Sequence, residues 1–327
     1  MLSLVIPVYR NEQNLDRLLT ELCKLEQRLP DGLEVVFVVD GSPDESLQIL
    51  RDRLPTLSLR SQLISLSRNF GSFSAVLAGL GAGSGDQFAV LSADLQEPPE
   101  LIVQFQEVLR NDVADIVFGH RIKRSDPWMS ELSATLFWWI YRKWVIPDMP
   151  EGGVDVFACS RKVRDQVLQF REVNTNLIAL LFWMGYRRHY IGYERASRTE
   201  GESGWTFSKK LDYCLNSIFN FTGLPIRLLL IVGASGTSLA AIAAVVVLIA
   251  KLRGNIPVPG YTITVLFILF FGGVITLGLG ILGQYLWLSL QNVRGRPNYL
   301  IATSENYSDE AGANEKNNEA SRAAARR

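Results

Sequence analysis

Cysteine is scarce in this chain: Cys23, Cys159 and Cys214 are its only three among 327 residues. Their spacing is irregular and forms no CxxC pair, which argues against a cysteine-held metal and reads as reduced, mostly buried thiols in a cytoplasmic compartment. No charge of one sign dominates, because Lys+Arg and Asp+Glu each total 33. Bulk charge therefore gives no pull toward nucleic acid. No GxGxxG follows the first apolar run and no GxxxxGK[ST] occurs, which disfavours a dinucleotide site and a P-loop. A signal peptide is not expected, since Leu2–Val8 is short and ends in a proline-containing turn. The most informative absence is local: no ionisable side chain lies between Leu228 and Ala250, and Asn255–Val293 holds only apolar and neutral polar residues.

Such runs exceed the roughly 20 residues that cross a bilayer. The expected spans are about 227–250 and about 262–290, joined by a short loop carrying Lys251, Arg253, Pro257, Pro259 and Gly260. A helix over the second span is roughly 43 Å long against a core of about 30 Å, so it tilts or continues beyond the membrane. Lys209, Lys210, Arg227, Arg294 and Arg296 flank the outer ends, and the positive-inside rule puts both ends of the chain in the cytoplasm. Before the spans, 213–226 is amphipathic and reads equally as interfacial or as a plain surface helix. Gly272, Thr276 and Gly280 form a small-residue stripe that suits close helix packing, including between subunits, and equally reads as ordinary glycine-rich membrane sequence. The uncharged span interiors argue against transport. The tail after 304 is polar and expected to be largely disordered.

The region before the spans reads as a soluble domain, 1–212. Buried strands are expected at Ser3–Val8, Leu33–Val39, Gln62–Leu66, Phe88–Ser92 and Asp115–Gly119. Between them come helices: one from about Asn14 bearing Leu15, Leu18, Leu19, Leu22 and Leu25, one capped by Asp44, a glycine-interrupted one around 71–81, and one opened by Pro98 and Pro99. The alternation predicts an α/β fold with a mostly parallel sheet and helices on both faces. Ligands of such sheets gather outside the carboxyl ends of the strands. Polar residues stand there after every strand: Tyr9 and Glu12, Asp40, Arg68 and Asn69, Asp94 and Gln96, His120 and Arg121. One such residue alone is usually turn chemistry; their agreement across five strands points to one crevice for a charged ligand.

The motifs VIPVYRNE (5–12), VVDGSPDES (38–46), SRNFG (67–71), ADLQEPPE (93–100) and GHR (119–121), with Asp155, the 198–205 segment and ILGQY…VRGRPNY (281–299), resemble family 2 glycosyltransferases of the GT-A fold. The resemblance is to the branch of dolichyl-phosphate mannose synthase and the bacterial GtrB-like and ArnC-like polyprenyl-phosphate transferases, and it covers the chain to about residue 300. It implies a metal-dependent, inverting transfer from a UDP- or GDP-linked sugar to a polyprenyl (undecaprenyl or dolichyl) phosphate at a bacterial inner membrane. Pro7, Tyr9, Glu12, Asp40, Arg68, Asn69 and Asp94 would bind the nucleotide sugar. Asp94 and Gln96 would hold Mg²⁺ or Mn²⁺, for which a carboxylate and an amide oxygen are suitable hard donors. Asp94, Asp155 and Arg121 are the expected catalytic residues, and Arg121 with Arg198, Ser203 and Trp205 would grip the acceptor phosphate, which guanidinium recognises bidentately.

Two positions depart from the pattern. Val39 stands where many relatives carry an aspartate, and Gly204 replaces a lysine, for which Lys209 or Lys210 would substitute. Trp128, Trp138, Trp139, Tyr141 and Trp144 mark an aromatic-rich helix that suits either the headgroup region or the core. The competing readings are a processive polysaccharide synthase, disfavoured by two spans and no QxxRW motif, and a non-catalytic lipid-carrier partner. The domain plan is thus 1–212 catalytic, 213–226 interfacial, 227–290 anchor and 291–327 cytoplasmic tail.

Overall fold

The computed structural model describes residues 1–122, 142–143, 146–150, 153–170, 176–194, 218–219, 222–253 and 260–307. The chain divides into two units, Met1–Lys209 with Pro297–Arg327, and Lys210–Arg296. The first unit is thus discontinuous in sequence, and residues 297–307 of the expected separate tail belong to it.

In that unit the apolar runs are strands β1 (Leu2–Val8), β2 (Leu33–Val39), β3 (Ser61–Leu66), β4 (Gln87–Val90) and β5 (Ile116–Arg121). Helices α1 (Leu15–Glu26), α2 (Ser46–Arg53), α3 (Ser72–Ala82) and α4 (Glu100–Arg110) alternate with them. Then follow β6 (Val154–Ser160), α5 (Arg161–Val167), α6 (Leu177–Trp183), β7 (Arg188–Tyr193) and, from the far end of the chain, β8 (Ile301–Tyr307). One eight-stranded sheet results, in the order β7-β5-β6-β4-β1-β2-β3-β8. It is mixed and mostly parallel: β1–β2, β1–β4, β2–β3 and β5–β7 run parallel, while β4–β6, β5–β6 and β3–β8 are antiparallel.

Both faces of the central strands are covered, which is why β2 is buried at every position and its sequence does not alternate. On one face Leu2, Leu4, Ile6 and Val8 of β1 join Leu15, Leu18 and Leu22 of α1 and Leu101, Ile102 and Phe105 of α4 in a single core. Each such buried leucine is worth about 1.5–3 kcal/mol relative to exposure. On the other face α3 sits hard against β1: a Cβ on Gly79 would fall 2.3 Å from Val5 Cγ1. At the amino-end edge of the strands the buried Glu34 accepts hydrogen bonds from Ser3 Oγ, Ser84 N (2.7 Å), Ser84 Oγ (2.8 Å) and Gln62 Nε2 (3.0 Å). Burial alone would raise its pKa, but these hydrogen bonds outweigh burial and hold the carboxyl below the usual range.

Strand β8 takes up the first four residues of the stretch expected to be disordered, and 308–327 lie outside the described residues. Residues 304–307 continue a strand paired along β3 from Leu66↔Ile301 to Ser61↔Tyr307. Most of its residues are exposed, so no apolar pattern marks it. What holds it is the unsatisfied edge of β3 together with a fork from Arg51, whose Nη2 and Nε donate to Glu305 at 2.7 and 3.1 Å.

The second unit contains helices α7 (Leu224–Leu252) and α8 (Tyr261–Arg294). Among the described residues, one stretch, Phe270–Arg294, is long and apolar enough to cross a membrane. Its 25 residues correspond to about 38 Å. The helices meet through glycines other than the expected stripe. A Cβ on Gly278 would lie 3.2 Å from Leu229 Cδ1, and one on Gly236 would lie 3.3 Å from Phe271 Cε1. Nothing lies within 4 Å of a Cβ at Gly272 or Gly280, and Thr276 Oγ1 turns back to Gly272 O at 2.8 Å. Half of the expected interfacial stretch 213–226 falls outside the described residues, as do Arg198, Ser203, Gly204, Trp205, Lys209, Lys210 and the aromatic run Trp128–Tyr141 with Trp144.

Candidate active site

The sheet's topology locates a crevice. From β1 the chain steps outward to β2 and β3, then returns to place β4 on the opposite side of β1. This change of direction is the switch point at which ligands of open α/β sheets sit. The two strands also part there. Val5 pairs with Val90, the last residue of β4, and Leu91 N still donates to Val5 O at 3.1 Å, yet β1 continues to Val8. Within a parallel strand, alternate residues aim their peptide groups at the same neighbour, so Pro7 would face the side from which β4 has already departed. Its missing N–H therefore costs no ladder bond, and a proline fits in a central strand.

Four loops leave the carboxyl ends of β1, β2, β3 and β4 at this edge, and β5 delivers His120 and Arg121 to the same edge. β6 runs the other way, so its beginning lies there: Val154 pairs with His120, and Asp155 follows at the next position. The sequence-predicted residues of the described segments thus gather along one edge of the sheet.

Three of those loops are tied into one body. Asp40, 3% exposed, accepts Phe70 N at 2.7 Å on Oδ1 and Gly71 N at 2.8 Å on Oδ2. Beside it Gly41, at φ +56°, lets the second loop touch the third: a Cβ there would fall 2.3 Å from Arg68 C and 2.4 Å from Asn69 N. The first loop joins through Asp44, whose Oδ2 accepts Glu12 N (3.2 Å) and Ser46 Oγ (2.9 Å). Its Oδ1 accepts Ser42 Oγ (2.5 Å) and Ser46 N (3.3 Å). Further links are Arg10 N to Ser42 Oγ (2.8 Å), Asn11 N to Ser46 Oγ (3.3 Å) and Glu45 N to Glu12 Oε2 (3.0 Å). Burial would raise the Asp44 pKa, but the bonds from Ser42, Ser46 and Glu12 overcome it and lower it.

Sequence spacing identifies Asp44 only as a helix cap; the N-cap of α2 is Glu45, and Asp44 Oδ1 accepts Ser46 N from one residue before it. Its long-range partner, Glu12 N, lies 32 residues away. Glu12 and Asp40, expected at a nucleotide, both have carboxylate oxygens engaged by backbone amides. The rim above these ties is aromatic and cationic. Tyr9 is 41% exposed with the Arg10 guanidinium 5.5 Å from its ring centre, and Arg68 stacks 4.0 Å above Phe70 while donating to Asn69 O.

Across the gap, Asp94-Leu95-Gln96 forms a tight turn. Leu95 takes a left-handed φ of +51°, and Asp94 Oδ1 accepts Gln96 N at 3.3 Å. A branched leucine in that region is strained, so the turn is held by its surroundings. Asp94 is half-buried and Gln96 is 8% exposed. Two hard oxygen side chains two residues apart fit a divalent cation that takes its remaining ligands from phosphate and water. Among the described residues no group of three or more His, Cys, Asp and Glu side chains is arranged to hold a metal by itself. Glu97, fully buried beside this turn, is a carboxylate that motif reading leaves unassigned.

Tied loops at the switch point of the sheet, with a short acidic turn across from them, suit a glycosyltransferase, and the chain belongs to glycosyl transferase family 2, whose family description matches residues 3–162. The layout is GT-A-like, and the protein is a transferase. Similarity extends over nearly the whole chain in individual relatives. An uncharacterized glycosyltransferase of Synechocystis is 31% identical over 92% of this chain and 94% of its own length. The SfII prophage-derived bactoprenol glucosyl transferase of Shigella flexneri is 31% identical over 93% and 98%. A solved mannosyltransferase from Pyrobaculum calidifontis, in complex with GDP-Man and Mn²⁺, is 16% identical over 86% of each chain, with a TM-score of 0.46.

Proposed function

We propose that the protein transfers a sugar from a nucleotide-sugar donor to a polyprenyl phosphate, with inversion, at the cytoplasmic face of a membrane. The observation that carries this reading is the β1/β4 switch point, with tied loops on one side and the Asp94–Gln96 turn on the other. Whole-length similarity to bactoprenol glucosyl transferases supports the lipid acceptor.

On this reading Pro7, Tyr9, Glu12, Asp40, Arg68 and Asn69 form the wall for the base and ribose, with Tyr9 and Arg68 as its outer contacts. Asp94 and Gln96 would hold Mg²⁺ or Mn²⁺, which would offset charge on the departing diphosphate. The acceptor phosphate oxygen is already anionic near neutral pH and attacks the anomeric carbon in line. The C–O bond to the nucleoside diphosphate breaks as the new one forms, so no covalent enzyme intermediate and no strong general base are required. Arg121 neutralises a phosphate at the end of β5, and Asp155 orients the sugar or acceptor from the start of β6. Arg198, Ser203 and Trp205 complete the acceptor grip. Both apolar helices cross the bilayer as a two-span anchor with the catalytic unit and both termini cytoplasmic.

The test is incubation of the purified protein with a panel of radiolabelled UDP- and GDP-sugars and polyprenyl phosphate. The reading expects label in a chloroform-extractable product from one donor. Long water-soluble polymer would establish a processive synthase instead, and no transfer from any donor would refute the enzyme reading.

A further inference from the structure

We infer that Asp44 is a positioning residue for the donor: it holds the loop after β1 in register with the loop after β2, and so shapes the base and ribose wall without touching the ligand. The inference rests on the donor-site reading above and adds a residue to it.

The geometry separates Asp44 from a ligand-binding carboxylate. Each oxygen already accepts two protein donors, Ser42 Oγ and Ser46 N on Oδ1, Glu12 N and Ser46 Oγ on Oδ2. A carboxylate accepts about four hydrogen bonds, so Asp44 is saturated by the protein. Its partners are also bridges. Ser42 Oγ, which donates to Asp44, accepts Arg10 N, and Ser46 Oγ, which donates to Asp44, accepts Asn11 N. The carboxylate therefore sets the proton direction of both hydroxyls. With the anion in place, each serine gives its proton to Asp44 and turns a lone pair to the first loop. Three consecutive backbone amides, those of Arg10, Asn11 and Glu12, are satisfied in this way by one acidic group and two serines. Arg10 also sits at φ +55°, a strained value for a long side chain that needs such external holding. Tyr9, the exposed aromatic of the wall, is the residue immediately before this held segment.

An isosteric amide breaks the pattern. Asp44→Asn presents N–H protons to a site whose other members are all donors, and forces the serine hydroxyls to reorient away from Arg10 or Asn11. The first loop is then released while the core beneath it is untouched. A structural control exists at the opposite edge of the sheet, where Glu34→Gln disrupts a more deeply buried carboxylate network that has no connection to the donor loops.

The experiment uses the full chain in detergent or nanodiscs and measures the affinity for the nucleoside diphosphate of the active donor, donor KM and kcat, and Tm. Asp44→Asn is expected to weaken nucleoside diphosphate binding and raise donor KM about tenfold or more, the effect of losing a hydrogen bond's worth of preorganisation. Its kcat at saturating donor should stay within about threefold, because the reacting groups lie across the gap. Glu34→Gln should lower Tm with binding unchanged within about twofold. Asp44→Asn binding within about twofold of the parent, or both variants losing affinity in step with Tm, would overturn the inference. If Asp44→Asn does not fold, Ser42→Ala removes one bridge only and should show the same KM-selective loss to a smaller degree; no loss there overturns the inference equally. A parent protein that binds no nucleoside diphosphate would instead overturn the donor-site reading itself.

Discussion

Gly41→Ala is the sharpest test of the three-loop construction. Two costs arise and can be separated. The first is conformational: φ at Gly41 is +56°, where a side chain is disfavoured by about 1 kcal/mol. The second is steric. The new methyl would lie 2.3 Å from Arg68 C, 2.4 Å from Asn69 N and 2.8 Å from Arg68 Cα, all backbone atoms with no rotamer to yield. Overpacking of this kind costs about 1–3 kcal/mol, and more where backbone must shift. Relief requires moving Arg68 and Asn69 away, which pulls on Phe70 N and Gly71 N and lengthens their bonds to Asp40, each worth about 1.5–3 kcal/mol as a bond to a charged acceptor. The total is roughly 3–5 kcal/mol of local destabilisation. Gly32→Ala is the matched control, since Gly32 has φ +82° but nothing within 4 Å of a Cβ. It bears the conformational cost alone, about 1 kcal/mol. Thermal unfolding of both full-length variants in the same detergent, with donor binding measured beside it, decides the matter. Gly41→Ala should unfold well below Gly32→Ala and bind donor poorly. Equal Tm values and equal donor affinity would refute the close-approach argument.

Asp94→Asn should reduce transfer by at least about a hundredfold while leaving Tm near the parent's, and chelation of divalent cations should mimic it with recovery on adding Mg²⁺ or Mn²⁺; near-normal turnover by the variant sinks the metal assignment. Glu34 has a folded pKa below its unfolded value, so its contribution is present at neutral pH and is lost as the pH falls through the depressed folded value. Glu34→Gln should therefore unfold more easily by about 1–3 kcal/mol at pH 7 and show a shallower loss of stability on acidification, read as Tm against pH. Arg51→Ala should loosen β8 from the edge of β3, seen as faster proteolysis after residue 300, with less change in the core; unchanged proteolysis would show that the β3 ladder alone retains the strand.

How far the sequence revealed this arrangement depended on burial. The strands β1 to β5 were legible to within a few residues because both faces of the sheet are covered, so Leu33–Val39 is an unbroken apolar run. Strand β7 was not, since Arg188 to Ile191 are only half-buried and Arg188 and Arg187 are spent on ion pairs with Asp148, Asp112 and Asp115. Strand β8 was not legible either, and its residues 304–307 fell in the stretch expected to be disordered, its pairing being supplied by β3. At the site, the positions of Tyr9, Asp40, Asn69, Asp94 and Arg121 at strand ends followed from the alternation of elements alone. The partners of their side chains did not. Asp40 meets amides 30 and 31 residues away, and Asp44 meets one 32 residues back, distances at which spacing carries no information. Motif reading aimed Asp40 at a ligand and took Asp44 as a helix cap, because it recognised the residue types without the loops that pack against them.

That distinction bears on electrostatics. A donor diphosphate is a polyanion, and on a simple count the crevice edge is hostile to it, with Glu12, Asp40, Asp44 and Asp94 at consecutive strand ends. All four of these charges are met locally, Asp94 by Gln96 N on Oδ1 at 3.3 Å. Asp40 is compensated by two backbone N–H dipoles and Asp44 by two more with two hydroxyls, while a Glu12 oxygen receives Glu45 N. A carboxylate so bonded projects much less field toward a neighbouring anion, and its bonds strengthen in a low-dielectric surround. Asp94 differs in having a second hard oxygen, Gln96, two residues on, in a turn that Leu95 strains to form. On the proposed reading a divalent cation there reverses the sign that a diphosphate meets. The same reasoning orders the dependence of binding on each group. Removing Asp44 loosens the wall and leaves the cation-assisted hold on phosphate, whereas removing Asp94 leaves the wall intact and takes that hold away. Nucleoside and nucleoside diphosphate should therefore respond oppositely: affinity for the bare nucleoside should fall in Asp44→Asn and persist in Asp94→Asn, while the preference for diphosphate over nucleoside should persist in the first and collapse in the second.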